Sequence, residues 1–142
     1  MTDIFPSEKR SEIMSKIKSK NTKPELLVGT LLFSKGFRYR KNDKRYAGTP
    51  DLVLPKYKTV IFIHGCFWHG HTCKKGTLPN TNVKFWQGKI ARNKERDERN
   101  RKTLINSGFR VIIIWECELK NKVLREERLL RLIAEIKDKN AV

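Results

Sequence analysis

Apolar positions along this chain recur with two periods, one helical and one alternating, and the order in which they follow each other outlines an α/β domain. Ser7 to Lys20 sets Ile13, Met14 and Ile17 at helical spacing among charges, a thin amphipathic helix expected to order fully on a partner. A second helix is clearer. Thr22 and Glu25 fit a capping box, Pro24 suits a first turn, and Leu26, Leu27, Leu31 and Leu32 form a stripe that ends before Gly36. Phe37 to Arg40 alternates apolar and basic side chains as a strand does, and Asp51 to Leu54 is a short strand bounded by Pro50 and Pro55.

Thr59 to Ile63 is a β-branched and aromatic run too short for a helix, so it reads as a strand buried on both faces. From Gly65 to about Asn82 periodicity stops, with Gly65, Gly70, Gly76 and Pro79 as punctuation. A loop of that length inside a compact domain is expected to be functional or held by a metal. Val83 to Asn106 predicts a long polar helix with Trp86, Ile90, Asn93, Asp97, Asn100 or Arg101, and Leu104 along one stripe, stopped by Gly108. Phe109 to Trp115 is another buried strand, and Glu118 to Lys139 a closing amphipathic helix. The order ααβββαβα implies a single domain over residues 1–142, a mixed β-sheet with helices on both sides.

Charge changes the picture from architecture to partner. The 142 residues carry 32 Lys and Arg against 15 Asp and Glu, a formal charge of +17, and such a self-repelling surplus is expected beside a polyanion. Nucleic acid is the leading partner, with residues 1–20 as a DNA-contacting helix. A solvated, solubilising face is the ordinary reading of a charge run, but it does not call for so large an imbalance. A membrane-surface role lacks a long apolar span, an N-terminal apolar segment and a lipidation motif. The expectation is a cytoplasmic, nucleoid-associated monomer.

Three cysteines, an odd count, argue against a disulfide framework. Cys66, His71 and Cys73 fall in one short stretch of the loop, and Cys117 follows the strand ending at Trp115. Three thiols and an imidazole suit zinc, and four protein ligands leave no place for water, so the zinc is expected to be structural. The alternatives are that the cysteines are small buried hydrophobes, or that His69 replaces His71 as ligand.

Asp51 opens one strand and Ile63-His64 closes the next, a layout that sets a carboxylate beside a main-chain carbonyl. Magnesium takes hard oxygen ligands and keeps several waters, so such a pair with DNA phosphate oxygens suffices to hold it. His64 and His69 are then the available imidazoles, whose ordinary pKa of about 6.5 suits proton transfer; a satisfied strand-end histidine and a plain loop residue are the alternatives. Glu25 can orient water or simply cap its helix, and Asp97 can serve the site or make an ordinary ion pair. Phe67, Trp68 and Trp86 are large aromatics in basic surroundings, suited either to wedging against bases or to packing under the loop. Lys89 and Asn93, one and two turns beyond Trp86, can reach base edges.

Taken together, Pro50-Asp51, the run Ile63-His64-Gly65-Cys66-Phe67-Trp68-His69, Cys73, Phe85-Trp86, Asn93, Asp97 and Trp115-Glu116-Cys117 resemble the very short patch repair (Vsr) DNA mismatch endonucleases, over nearly the whole chain. The resemblance implies a restriction-endonuclease-like core and nicking of one strand beside the thymine of a T:G mismatch left by deamination of 5-methylcytosine. It implies Mg2+ on Asp51 and the Ile63 carbonyl, His69 as general base, and His64, Asp97 and Glu25 supporting water or leaving group. It also implies Zn2+ on Cys66, His71, Cys73 and Cys117, insertion of Phe67, Trp68 and Trp86 beside the mismatch, and repair proteins as partners. Ile63 departs from the pattern, which has Thr there; a main-chain ligand tolerates the change. The rival readings are a zinc-stabilised DNA-binding module without catalysis and a homing or branched-DNA nuclease on the same core.

Overall fold

The computed structural model describes residues 23–138. The expected helix at Ser7 to Lys20, the cap residue Thr22 and the final residue of the closing helix lie outside them. Three helices, α1 (Lys23–Ser34), α2 (Val83–Asn106) and α3 (Lys122–Lys137), accompany four strands, β1 (Arg40–Lys41), β2 (Leu52–Leu54), β3 (Thr59–His64) and β4 (Arg110–Trp115). The sheet runs β1-β2-β3-β4, antiparallel across the first two pairs and parallel across the last. Among the described residues no helix is long and apolar enough to cross a membrane.

Strand alternation divides the core into two layers. Leu52, Leu54, Ile61, Ile112 and Ile114 point to one side, where Val28 and Leu32 of α1 and Leu129, Leu132 and Ile136 of α3 cover them. Val53 and Val60 point to the other, packing with Leu104 of α2, Phe62, Phe109 and Val111. Each fully buried aliphatic side chain contributes about 1.5–3 kcal/mol. The helices thus cover both faces, as the pattern implied.

Two boundaries and one helix face differ from the sequence reading. The strand expected at Phe37 starts only at Arg40, because the Phe37 amide donates to Leu32 O at 2.9 Å and closes the C-terminus of α1. The buried stripe of α1 is Val28, Gly29 and Leu32, while Leu26 is 47% exposed; contact with the sheet, not leucine count, selects the face. Glu116–Leu119 forms a 3-10 turn, and α3 begins only at Lys122, where Asn121 Oδ1 accepts from Leu124 N at 2.9 Å.

Two pairings position everything that follows. β3 and β4 are parallel with His64 opposite Trp115, so the chain leaves both strands at the same edge, side by side. β2 is antiparallel to β3 with Leu52 opposite Ile61, which brings the start of β2 against the end of β3. The turn after β4 is held by Arg128, whose buried guanidinium reaches Glu135 Oε1 at 2.9 Å, Ile113 O at 3.2 Å and Glu118 Oε2 at 3.2 Å. These partners offset part of the cost of burying the charge, and losing one of them would leave it uncompensated, so the group anchors the segment carrying Cys117.

Candidate active site and metal cluster

The antiparallel register delivers Asp51 to the end of β3, where its Oδ2 accepts the Ile63 N–H at 2.6 Å. From the first turn of α1 the Glu25 carboxyl shares a hydrogen bond with Asp51. Burial pushes Asp51 up to about 7 against the donation from Ile63, and the neighbouring Glu25 adds to the rise. Two carboxyls pressed together in this way are a poor ion pair for each other and a good one for a hard cation. The pair therefore suits a hard divalent cation.

Opposite stands an imidazole dyad. His69 Nδ1 and Asp97 Oδ2 are 2.6 Å apart, a loop residue meeting the inward stripe of α2. This bond fixes the His69 tautomer that leaves Nε2 to accept a proton. The His64 ring stacks on His69 at 3.8 Å with 6° between planes. Burial, with His69 next in weight, pushes His64 down to about 4, so it stays neutral. Its Nδ1 is buried with no hydrogen-bond partner among the described residues, a polar atom facing a site built to receive something else.

A cleft of about 820 Å3 joins these groups; Glu25, Asp51, His64, His69 and Asp97 all line it, and Trp68 stands at its margin. Gly48 and Thr49 line it as well, at φ +77° and +48°. A side chain at Gly48 would meet Asn100 Nδ2 at 2.8 Å, so only glycine lets this turn close on α2. Thr49 in the left-handed region is strained, as β-branched residues are there, two positions before Asp51.

The second cluster lies where β3 and β4 release the chain. The ligand atoms of Cys66, His71, Cys73 and Cys117 are all within 4.8 Å of one another. Ligands of one tetrahedral zinc stand roughly 3.3–3.8 Å apart, so small adjustments suffice to hold a metal. Burial pushes the Cys66 thiol up to about 12, which a cation among the sulfurs would reverse. Trp115 stacks on His71 at 4.2 Å and orients it. The structure groups His71 with the three thiols and His69 with Asp97. Gly70 between them, at φ +67°, passes so close to α2 that a side chain would meet Ile90 Cγ2 at 2.7 Å. That turn sends the two imidazoles to different sites.

Phe67, Trp68 and Trp86 form an edge-to-face group with centroids 5.1, 5.3 and 5.8 Å apart. Trp68 is 49% exposed, so this is a surface-facing group rather than core. Phe85, 57% exposed and 5.1 Å from Trp86, extends it and was not picked out as a site residue from sequence, although it neighbours a tryptophan. Asn93 Nδ2 donates to Trp68 O at 2.9 Å and holds the aromatic loop on α2; Lys89 lies half-buried one turn earlier. Arg96 and Glu116 also line the cleft and were missed, the first because it is one cation among many on α2.

Known proteins share this arrangement of sequence. The family model described as DNA mismatch endonuclease Vsr matches residues 2–75. The chain is 63% identical over 138 residues to the type II nicking enzyme V.NmeAIP of Neisseria meningitidis serogroup A, covering 97% of this chain and 99% of that one. It is 44% identical over 133 residues to V.XorIIP of Xanthomonas oryzae pv. oryzae, covering 94% and 98%. With the DNA mismatch endonuclease Vsr of Escherichia coli K12 it shares 39% over 136 residues, 95% of this chain and 87% of that one. Identity of this order over nearly the whole chain makes it a member of the Vsr family of DNA mismatch endonucleases.

Proposed function

We propose that this protein, as one catalytic unit over residues 1–142, is a magnesium-dependent endonuclease that nicks DNA beside the thymine of T:G mismatches arising from deaminated 5-methylcytosine, so starting very short patch repair. The observation that carries the reading is the meeting of the Asp51–Glu25 carboxyl pair and the His69–Asp97 dyad in one cleft beside an exposed aromatic group. A DNA-binding module has no use for the first two.

Asp51, the main-chain carbonyl of Ile63 and Glu25 would hold magnesium, which supplies charge neutralisation at the phosphate and a more acidic water. His69, oriented by Asp97, takes the proton from the attacking water as its oxygen bonds to phosphorus. The scissile P–O bond breaks, and the departing sugar oxygen takes up a proton from solvent. His64, kept neutral by burial, serves as a hydrogen-bonding wall rather than a charged acid. Cys66, His71, Cys73 and Cys117 hold a structural zinc that ties the loop to the end of β4. Phe67, Trp68 and Trp86 wedge beside the mismatch, with Lys89 and Asn93 at base edges. The name of the E. coli relative supports mismatch as the target.

Asp51→Ala separates this reading from its rival. Nicking of a T:G duplex in magnesium should vanish while binding to the same duplex persists. A wild-type protein that binds but never nicks, across varied flanking bases, would leave only the binding module.

A further inference from the structure

We infer that Arg96 is a further catalytic residue, its guanidinium gripping the non-bridging oxygens of the scissile phosphate beside the His69–Asp97 dyad; this rests on the nuclease reading above.

The cleft is acidic where an anion must enter. Glu25, Asp51, Asp97 and Glu116 line it, against two arginines, Arg96 and Arg101. Arg101 is committed: its Nε and Nη2 donate to the Glu98 carboxylate at 3.1 and 2.9 Å. Arg96 is different. Among the described residues its one ion-pair partner is Asp97, with Nη2 3.7 Å from Oδ1, too far for a hydrogen bond, while Asp97 Oδ2 is taken by His69. Its side chain is 53% exposed, so the planar fork of donors is open to the cleft.

A phosphodiester brings one negative charge, and attack by water adds more as the P–O bond forms. A cation held by the carboxyl pair would answer part of that charge, and Arg96, on the dyad side, answers the rest. A guanidinium suits the task because its parallel N–H groups match two phosphate oxygens at once. Its loose seat against Asp97 keeps it near His69 without consuming its donors.

The test compares Arg96→Ala and Arg96→Lys with wild type in single-turnover nicking of a T:G duplex, alone and with added guanidinium ion. Arg96→Ala should lose roughly 100- to 1,000-fold in kcat, the scale of one lost transition-state donor. Guanidinium should restore part of that loss and leave wild type unchanged, and Arg96→Lys should retain an intermediate rate. Melting curves unchanged by the Lys variant keep the comparison free of folding defects. In an Asp97→Asn background, Arg96→Ala should cost a further large factor. Near-wild-type nicking by Arg96→Ala, or no further loss in the Asp97→Asn background, would overturn the inference, the second by reducing Arg96 to a positioning residue for Asp97. Failure of wild type to nick at all would instead remove the nuclease reading on which it stands.

Discussion

Replacing Asp51 by Asn should abolish nicking and, without magnesium, make the protein more stable. The carboxyl ionises near 7 in the fold against an ordinary 3.8, because it is buried and faces Glu25. A folded-state value raised in this way favours folding at low pH, and that advantage is lost as pH rises from about 4 through 7. Holding Asp51 ionised at pH 8 therefore costs up to about 4 kcal/mol, at about 1.4 kcal/mol per tenfold. Solvent screening and side-chain relaxation reduce this, and Asn accepts the Ile63 N–H more weakly than a carboxylate does, which removes about 1 kcal/mol more. A net gain of about 1–2 kcal/mol remains, or roughly 3–6 °C in melting temperature for a chain of this size. The assay is thermal unfolding in magnesium-free, zinc-retaining buffer at pH 5 and pH 8. Asp51→Asn should melt higher than wild type at pH 8, by a margin that shrinks at pH 5, and added magnesium should stabilise wild type alone. A variant that melts lower by the same amount at both pH values would refute the reasoning.

Other outcomes follow from the same geometry. His69→Ala and Asp97→Asn should each reduce kcat by about 100- to 10,000-fold with mismatch binding preserved, the range for a lost general base, read by single-turnover kinetics beside gel-shift titration. Elemental analysis should find one zinc per chain, and Cys117→Ser should lose that zinc and several kcal/mol of stability in urea unfolding. Trp68→Ala should weaken binding to the mismatched duplex by about 1–3 kcal/mol, measured by titration, with a smaller effect on matched duplex.

Much of the fold was legible because its signals are local. The span Val83–Asn106 emerged from helical spacing alone, as the polar helix must keep Ile90 and Leu104 inward. β3 and β4 were equally plain, since both read as unbroken apolar runs, although only Ile112 and Ile114 of β4 are buried and its other face is half-buried. The strand at Phe37 was misjudged because a helix-closing bond, from the Phe37 amide back to Leu32 O, took precedence over alternation. The candidate site divides in the same way. The thiols announce themselves by type and count, but His69 and His71 are separated by one residue, and only the Gly70 turn against α2 assigns them. The Asp51–Glu25 hydrogen bond depends on how α1 packs against the sheet beside β2, which spacing cannot report. Arg96 was hidden among the other cations of α2, and becomes distinct only through the contrast with Arg101 and its Glu98 clamp.

A duplex labelled differently on each strand shows whether this cleft nicks one strand at a T:G mismatch with magnesium. Wild-type protein should cut the thymine strand beside the mismatch, leave the guanine strand whole, spare the matched C:G duplex and do nothing without magnesium. Equal cutting of matched and mismatched duplex, or cutting of both strands, would rule out strand-selective nicking at the mismatch.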